Sequence, residues 1–241
     1  MATDKNEVER QRLRDQYAEI AALAGGLAHE IRNPLSTITM NLDLMAEDIN
    51  DLESESPQAR RLLTKLSSVQ RECSRLEEIL NDFLQFASAG QIALKQQSLN
   101  AVVEEFIEFF KPEASEGNVD LSWHPGTDLP EVNLDAKLFR QVLHNLAQNA
   151  QQAMPSGGVL EVQTLVRGDS VLLELIDNGC GMDERTRSRM FQAFYSNKPG
   201  GSGLGLPTVR KIVEAHHGEI ICDSEVGQGT RFTISLPPAS E

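Results

Sequence analysis

The chain has 241 residues, of which 40% are hydrophobic, so it is long enough for two compact domains with apolar cores. Its 22 basic and 36 acidic side chains give a formal net charge of −14, which argues against nucleic acid or an anionic membrane surface as a partner. No apolar run approaches the ~18 residues of a membrane span, and the N-terminus is charged rather than signal-like.

The first half of the chain predicts a helical hairpin. Residues 1–19 are rich in charged side chains and are interpreted as a helical lead-in. Apolar residues then recur at steps of three and four from Leu23 to Leu52, and again from Leu62 to Phe83, which is the pattern of two long amphipathic helices. The turn residues at 51–58 join them, so we predict a dimerisation hairpin over residues 20–88.

The apolar stripe of each predicted helix is too wide for one partner helix to cover. Two hairpins that pair into a four-helix bundle would cover both stripes, so we predict a homodimer. The alternative is a hairpin that packs on the second domain of its own chain.

One polar face of the first helix carries His29, Glu30 and Asn33. At about 100° per residue, His29 points away from the apolar stripe, and Asn33 lies one turn further on the same side. Pro34 has no N–H, so the carbonyl of Glu30 loses its helical partner and the helix should bend. An exposed histidine on an ordinary helix is the simpler interpretation. A histidine that accepts a phosphoryl group is the other, and it requires a phosphoryl donor elsewhere in the chain.

The second half predicts a different domain. Residues 89–97 read as a linker and residues 98–239 as a block of helices and largely antiparallel strands, which indicates an α/β sandwich of the α+β class. The predicted helices cover 98–110, 135–154, 185–194 and 207–216. The predicted strands lie near 121–123 and at 159–167, 170–176, 219–223 and 230–236.

Two groups in this domain suggest a nucleotide and its metal. Asn145 and Asn149 lie four apart on one helical face, and a carboxamide oxygen is a ligand that Mg²⁺ accepts beside phosphates and water. Asp177 emerges from an apolar strand, where its carboxylate can accept a hydrogen bond from an amine such as that of adenine. Gly179 and Gly181 let the backbone turn close to such a ring. A polar helix face and a plain turn are the alternatives.

A glycine-rich loop before a helix suggests a phosphate site. Lys198 can reach a terminal phosphate, and free backbone N–H groups with a helix N-terminus favour anions. The spacing fits neither a Walker A motif nor a dinucleotide fingerprint. A second short loop, 227–230, ends at Thr230 and fits a loop that faces the nucleotide and a tight hairpin equally well. The loop residues predicted to bind are Gly201, Ser202, Gly203, Leu204, Gly205 and Leu206.

Taken in order, these motifs resemble the sensor histidine kinases of two-component signalling. The segment 29–35 resembles the family's H box, 145–149 its N box and 177–181 its first glycine box. Phe191 and Phe194 resemble the F box, and 201–206 and 227–230 the later glycine boxes. The H box and the loop after Lys198 are most similar to those of nitrogen-regulation-type kinases.

The resemblance implies a dimeric phosphotransfer hairpin followed by a Bergerat-type (GHKL) ATP-binding domain. It implies that His29 is the phosphoacceptor, with Glu30 as its acid/base neighbour and Asn33 in a phosphatase reaction. ATP and Mg²⁺ are the implied cofactors, with Asn149 on the metal, Asn145 next to it and Asp177 on adenine. The implied partners are a response regulator receiver domain and a sensor domain or protein outside this chain. Gln151 and Gln152 stand where many members carry a basic residue.

Three alternatives stay open at this stage. An ATPase of the same nucleotide fold would drive conformational change without a phosphohistidine, a scaffold would recruit a regulator without catalysis, and a serine kinase of this fold would lack the H box.

The distant cysteines Cys73, Cys180 and Cys222 are interpreted as core residues of a protein in a reducing compartment, so we expect a cytoplasmic location.

Overall fold

The structure is a computed structural model that describes residues 31–47, 49, 57–88, 92–198 and 201–239. The chain divides into two compact units, Met1–Ser88 and Ala89–Glu241. The predicted phosphoacceptor His29 and its neighbour Glu30 lie outside the described residues, whereas Asn33 lies within them. Among the described helices, none combines the length and the apolar character that crossing a bilayer would require.

The first unit contains two antiparallel helices, α1 (31–47) and α2 (Pro57–Ser88). Arg32 of α1 donates to Asn81 of α2 at 2.7 Å, and further along α1 Asp43 accepts from Gln70 of α2 at 2.7 Å. The two helices therefore run antiparallel, because residues later in α1 contact residues earlier in α2. The predicted hairpin is confirmed in the described part of the chain.

The apolar side chains of the hairpin differ in exposure. Leu35 and Cys73 are buried at 9% and 6% exposure. A second set stays 38–53% exposed and recurs every seven residues on each helix. We call this set the heptad stripe; it consists of Ile31, Ile38, Met45, Leu62, Val69 and Leu76. Within one chain, the hairpin therefore covers only part of its apolar surface.

The second unit is a layer of helices on a five-stranded sheet. The strand order is β2-β4-β5-β7-β6, with β2 parallel to β4 and the other pairs antiparallel. This arrangement confirms the predicted α/β sandwich. The strands are β1 (Lys95–Gln97), β2 (Val119–His124), β3 (Val132–Leu134), β4 (Gly158–Arg167), β5 (Ser170–Asp177), β6 (Glu219–Glu225) and β7 (Gly229–Leu236). The helices are α3 (Leu99–Glu116), α4 (Ala136–Ala153), α5 (Glu184–Arg189) and α6 (Gly205–Ala215).

The strands β1 and β3 were not predicted. They pair antiparallel as a separate two-stranded sheet, and β1 falls within the segment predicted as a linker. Each has only three residues, which is too short for an alternating pattern to be recognised. The backbone N–H of Ala93 also donates to the Asp135 carboxylate at 3.0 Å, so the segment before α3 is tied to the second unit.

Side-chain caps begin two of the helices. The hydroxyl of Ser98 accepts from the N–H of Ala101 at the start of α3, and Asp135 accepts from two N–H groups at the start of α4. The predicted end of α3 at Phe110 was wrong. The helix continues past Pro112, because the carbonyl of Glu108, which loses its partner there, belongs to an exposed residue that water can reach.

Two other helices also differ from their predicted limits. α5 ends at Arg189, five residues before the predicted limit, and turns follow it. α6 begins at Gly205 rather than Pro207, and the proline lies in the first turn, where its missing N–H is not needed. The core interpretation of Cys180 was also wrong, because this residue is exposed, while Cys73 is buried and Cys222 is half-buried.

Candidate functional site

Asp177 is a buried carboxylate at the end of β5. It is 7% exposed, and its Oδ1 accepts from the N–H of Gly179 at 2.9 Å. Burial raises the pKa of Asp177, although the N–H groups of Gly179 and Thr230 and the charge of Lys198 oppose this. A desolvated carboxylate of this kind gains strongly from an added hydrogen-bond donor, as an exocyclic amine would provide.

The turn after Asp177 is fastened to its surroundings. The side chain of Asn178 accepts from the N–H of Val159 at 2.9 Å, and the N–H of Cys180 donates to the carbonyl of Ala153 at 3.0 Å. A Cβ at Gly179 would lie 2.8 Å from the Ala153 oxygen. Gly181 has φ +65°, and a Cβ there would overlap the carbonyl of Glu225. Both positions therefore require glycine.

Asn145 and Asn149 face the glycine-rich loop from the same side of α4. Asn145 Nδ2 donates to the carbonyl of Gly205 at a long 3.5 Å, and Asn149 Oδ1 accepts from the ammonium of Lys198 at 3.3 Å. The oxygen of Asn149 thus already contacts a cation, which fits a magnesium ligand. In the described part of the chain, no cluster of His, Cys, Asp or Glu side chains could hold a metal by itself. A magnesium ion at Asn149 would therefore need phosphate oxygens as further ligands.

Lys198 connects the loop to α4. Its ammonium donates to Gln152 Oε1 at 2.8 Å as well as to Asn149. The residue as a whole is exposed, but its ammonium lies against the helix. Desolvation lowers the pKa of Lys198, and electrostatic interactions with Cys180 and Asp177 oppose that shift. The structure therefore brings the predicted phosphate, metal and adenine residues into one cluster.

The end of the glycine-rich loop is held by its own residues. Gly203 has φ +67° and accepts from the N–H of Phe194 at 3.0 Å, and a Cβ there would lie 2.6 Å from the backbone of Tyr195. The hydroxyl of Ser202 accepts from the N–H of Leu204 at 3.2 Å. The side chain of Leu204 is fully buried, so it anchors the loop and only its backbone can contact a ligand.

The other loop residues differ in accessibility. Gly201 is exposed and its N–H donates to the carbonyl of Lys198 at 3.2 Å. Gly205 opens α6 with no atom within 4 Å of a Cβ placed on it, and Leu206 is half-buried. The first turn of α6 therefore starts beside open space, as an anion site requires.

Thr230 forms part of the wall behind Asp177. The two residues pair across β5 and β7, and Thr230 is 7% exposed. The hydroxyls of Thr230 and Ser224 lie 3.0 Å apart. The N–H of Gly227 donates to the carbonyl of Cys180 at 2.8 Å, so the loop before β7 supports the turn after Asp177.

Sequence reasoning missed the contribution of Gln152. It lies three residues after Asn149 and thus shares its helical face, which is a signal that the sequence contained. Gln151, on the adjacent side, instead donates to the carbonyl of Glu113 at 3.2 Å at the end of α3.

The two aromatic residues of the predicted F box differ in burial, since Phe191 packs against the core and Phe194 is 69% exposed.

Two family models match the chain. The model described as "His Kinase A (phospho-acceptor) domain" matches residues 19–92, and the model described as "Histidine kinase-, DNA gyrase B-, and HSP90-like ATPase" matches residues 134–240. The first match covers most of the first unit and the second lies within the second unit, while neither includes residues 93–133.

Curated relatives are about one-third identical to the chain over the region that aligns with it. The signal transduction histidine-protein kinase AtoS of Escherichia coli K12 is 31% identical over 98% of this chain and 38% of its own length. Sporulation kinase E of Bacillus subtilis 168 is 32% identical over 98% of this chain and 31% of its own length. The chain thus spans less than half of either relative.

Solved structures share the fold. The full-length structure of ShkA in complex with AMPPNP matches with a TM-score of 0.70 at 26% identity, covering 92% of this chain and 47% of that one. The histidine kinase ThkA in complex with the response regulator protein TrrA matches with a TM-score of 0.66 at 23% identity, covering 97% of this chain and 66% of that one. At that identity, the ThkA match carries information on the fold alone.

Proposed function

We propose that this chain, which belongs to the sensor histidine kinases of two-component systems, is the catalytic region of an ATP-dependent kinase that phosphorylates His29 and passes the phosphoryl group to an aspartate of a response regulator. The observation that carries this proposal is the convergence of Asp177, Asn149 and Lys198 on one cluster in the second unit. A buried acceptor, an amide oxygen and an ammonium together match the three parts of Mg-ATP.

The described residues divide the binding of ATP among themselves. Asp177 would accept from the adenine amine, with Gly179 and Gly181 giving the ring room and Thr230 supporting the carboxylate from behind. The phosphates would lie between Lys198 and the start of α6, at the backbone N–H groups of residues 201–206. A magnesium ion on Asn149 would neutralise charge on the phosphates.

The chemistry that we propose for His29 follows from the properties of imidazole. Only the neutral ring is nucleophilic, and an ordinary histidine pKa near 6.5 leaves it mostly neutral at pH 7. A ring nitrogen bonds to the γ-phosphorus while the bond to the bridging oxygen breaks and its electron pair leaves with ADP. The other ring nitrogen becomes more acidic, and Glu30 accepts or orients its proton.

A phosphatase reaction on the regulator is a second proposed activity. Asn33 is exposed on α1, four residues after the proposed phosphoacceptor in the sequence, and an exposed carboxamide can orient a water molecule toward an acyl phosphate. Because the kinase uses ATP, the cytoplasm stays its proposed location.

The heptad stripe supports a homodimer. Six apolar side chains that are 38–53% exposed recur at heptad spacing along the two helices of the hairpin, which is the pattern of a helix-packing interface. A second copy presents the same seam, so pairing about a two-fold axis would bury both and give a four-helix bundle.

The test of the kinase proposal is transfer of labelled phosphate from [γ-³²P]ATP to the chain. We expect label that is acid-labile and base-stable in the unaltered protein, and none in His29→Gln. Chase with an unlabelled receiver domain should then remove the label from the kinase. Persistent labelling of His29→Gln would refute the assignment of His29, while ATP hydrolysis without protein labelling would favour a conformational ATPase of the same fold.

A further inference from the structure

The part of α4 that faces the proposed phosphates lacks a cation of its own. Residues 141–153 contain no lysine or arginine, and Asn145, Asn149 and Gln152 offer only neutral amides. The chain has a net charge of −14, and Asp177 adds negative charge inside the site. A polyphosphate in this field requires a local positive charge that is held in place.

The ammonium of Lys198 supplies that charge from the neighbouring loop. It lies 2.8 Å from Gln152 Oε1 and 3.3 Å from Asn149 Oδ1. The first distance is that of a good hydrogen bond, and the second is long. Gln152 is therefore the main anchor, and Asn149 could turn its oxygen to a metal ion while the ammonium stays bound to the helix.

The neighbouring Gln151 cannot hold the Lys198 ammonium in place of Gln152. Gln151 Nε2 donates to the carbonyl of Glu113, and a Cβ placed on Gly117 would overlap the same amide. Its side chain is therefore used at the end of α3. Two identical residues, adjacent in the sequence, thus have separate structural roles, which makes one a control for the other.

We propose that Gln152 is a positioning residue that holds the Lys198 ammonium beside Asn149, so that the cation on the ATP phosphates comes from the loop rather than from α4. An ammonium has three N–H donors. One is used by Gln152, and two remain for phosphate oxygens once Asn149 binds metal. Desolvation lowers the pKa of Lys198, and a bound phosphate would oppose that shift. The inference rests on the proposed ATP-binding function and names the residue that directs its phosphate contact.

Nucleotide binding to the full chain tests this arrangement. Affinity for Mg-ATP is measured by calorimetry, and affinity for adenosine by competition with a fluorescent nucleotide. Lys198→Gln should weaken ATP binding about tenfold or more, as loss of a charged hydrogen bond does. Gln152→Ala should weaken it by a smaller factor, about three- to tenfold, and both should leave adenosine affinity unchanged, which a general loss of structure would not.

The decisive variant exchanges the two residues. Gln152→Lys combined with Lys198→Gln places the cation on α4 and its partner on the loop, and should restore ATP affinity to within about threefold of the unaltered chain. Gln151→Ala is the matched control, and should lower thermal stability without changing ATP affinity.

Unchanged ATP affinity in Gln152→Ala, or an exchange variant no better than Lys198→Gln, would overturn the positioning role while leaving the kinase proposal intact. An unaltered chain that fails to bind Mg-ATP would overturn the kinase proposal, and this inference with it.

Discussion

Replacing Gly181 by alanine should destabilise the second unit and weaken ATP binding together. Gly181 has φ +65°, and an added Cβ would lie 2.8 Å from the carbonyl carbon of Glu225 and 3.1 Å from the oxygen of Gly229. The left-handed backbone costs a residue with a Cβ about 1–2 kcal/mol, and overpacking against backbone that cannot move aside adds about 1–3 kcal/mol. The expected loss in the free energy of unfolding is therefore about 2–5 kcal/mol.

Gly227 provides the matched control on the loop that faces this turn. Its φ is +79°, but no atom lies within 4 Å of a Cβ placed on it, so Gly227→Ala should lose only the backbone share of about 1–2 kcal/mol. For a domain of this size, the difference predicts a melting temperature about 2–12 °C lower for Gly181→Ala than for Gly227→Ala.

Thermal unfolding followed by tryptophan fluorescence measures this difference. The only tryptophan of the chain is Trp123 in β2, so the signal reports on the second unit alone. Calorimetry with Mg-ATP should show weaker binding by Gly181→Ala, because its turn carries the N–H that supports Asp177. Equal melting temperatures for the two variants would refute the clash, and unchanged ATP affinity would refute the link between the turn and Asp177.

Three further predictions concern other parts of the chain. Asp177→Asn should weaken ATP binding about ten- to 150-fold. Because burial raises the pKa of Asp177, the unaltered chain should lose stability relative to this variant as the pH rises above about 4, and a difference in unfolding free energy that stays constant with pH in denaturant titrations would contradict this. Val69→Glu should dissociate the proposed homodimer in sedimentation experiments, whereas Ser68→Glu at the exposed neighbouring position should not. A dimer that stays intact in Val69→Glu would exclude the heptad stripe as the interface. Burial lowers the pKa of His216, so stability should fall by up to about 1.4 kcal/mol per pH unit below pH 6.5 as the ring is forced to protonate. In His216→Gln this dependence should be lost, and a persisting slope would assign it to another group.

The expected effect at His216 depends on two hydrogen bonds that define its neutral form. The N–H of Asp135 donates to Nε2 at 2.9 Å, so Nδ1 carries the proton and donates to the carbonyl of Ile212 at 2.8 Å. A second proton on Nε2 would face the Asp135 N–H. Burial works to raise the pKa of Asp135, but N–H groups of Ala93, Leu138 and Lys137 outweigh it and lower that pKa, so Asp135 titrates in a lower pH window than His216.

Much of the candidate site was predictable because its parts are local in sequence. Asn145 and Asn149 are one helical turn apart, and the turn of Asp177, Gly179 and Gly181 spans five residues. Spacing alone therefore predicted which side chains share a face and where the backbone turns sharply. The caps at Ser98 and Asp135 were predictable for the same reason, since a cap involves residues only two or three positions apart.

Contacts between distant residues were decided by the tertiary structure. The three-residue strands β1 and β3 form because they pair with each other. Likewise, the burial of Leu204 and the exposure of Cys180 depend on which residues of other elements pack nearby. Gln152 and Lys198 are 46 positions apart, and only the packing of the loop on α4 brings them to 2.8 Å. The sequence by itself determined the order of motifs, the two helices of the hairpin and the family, because these depend on local pattern. Which amide holds the cation was decided by the fold, because adjacent side chains on a helix point about 100° apart and only their surroundings distinguish them.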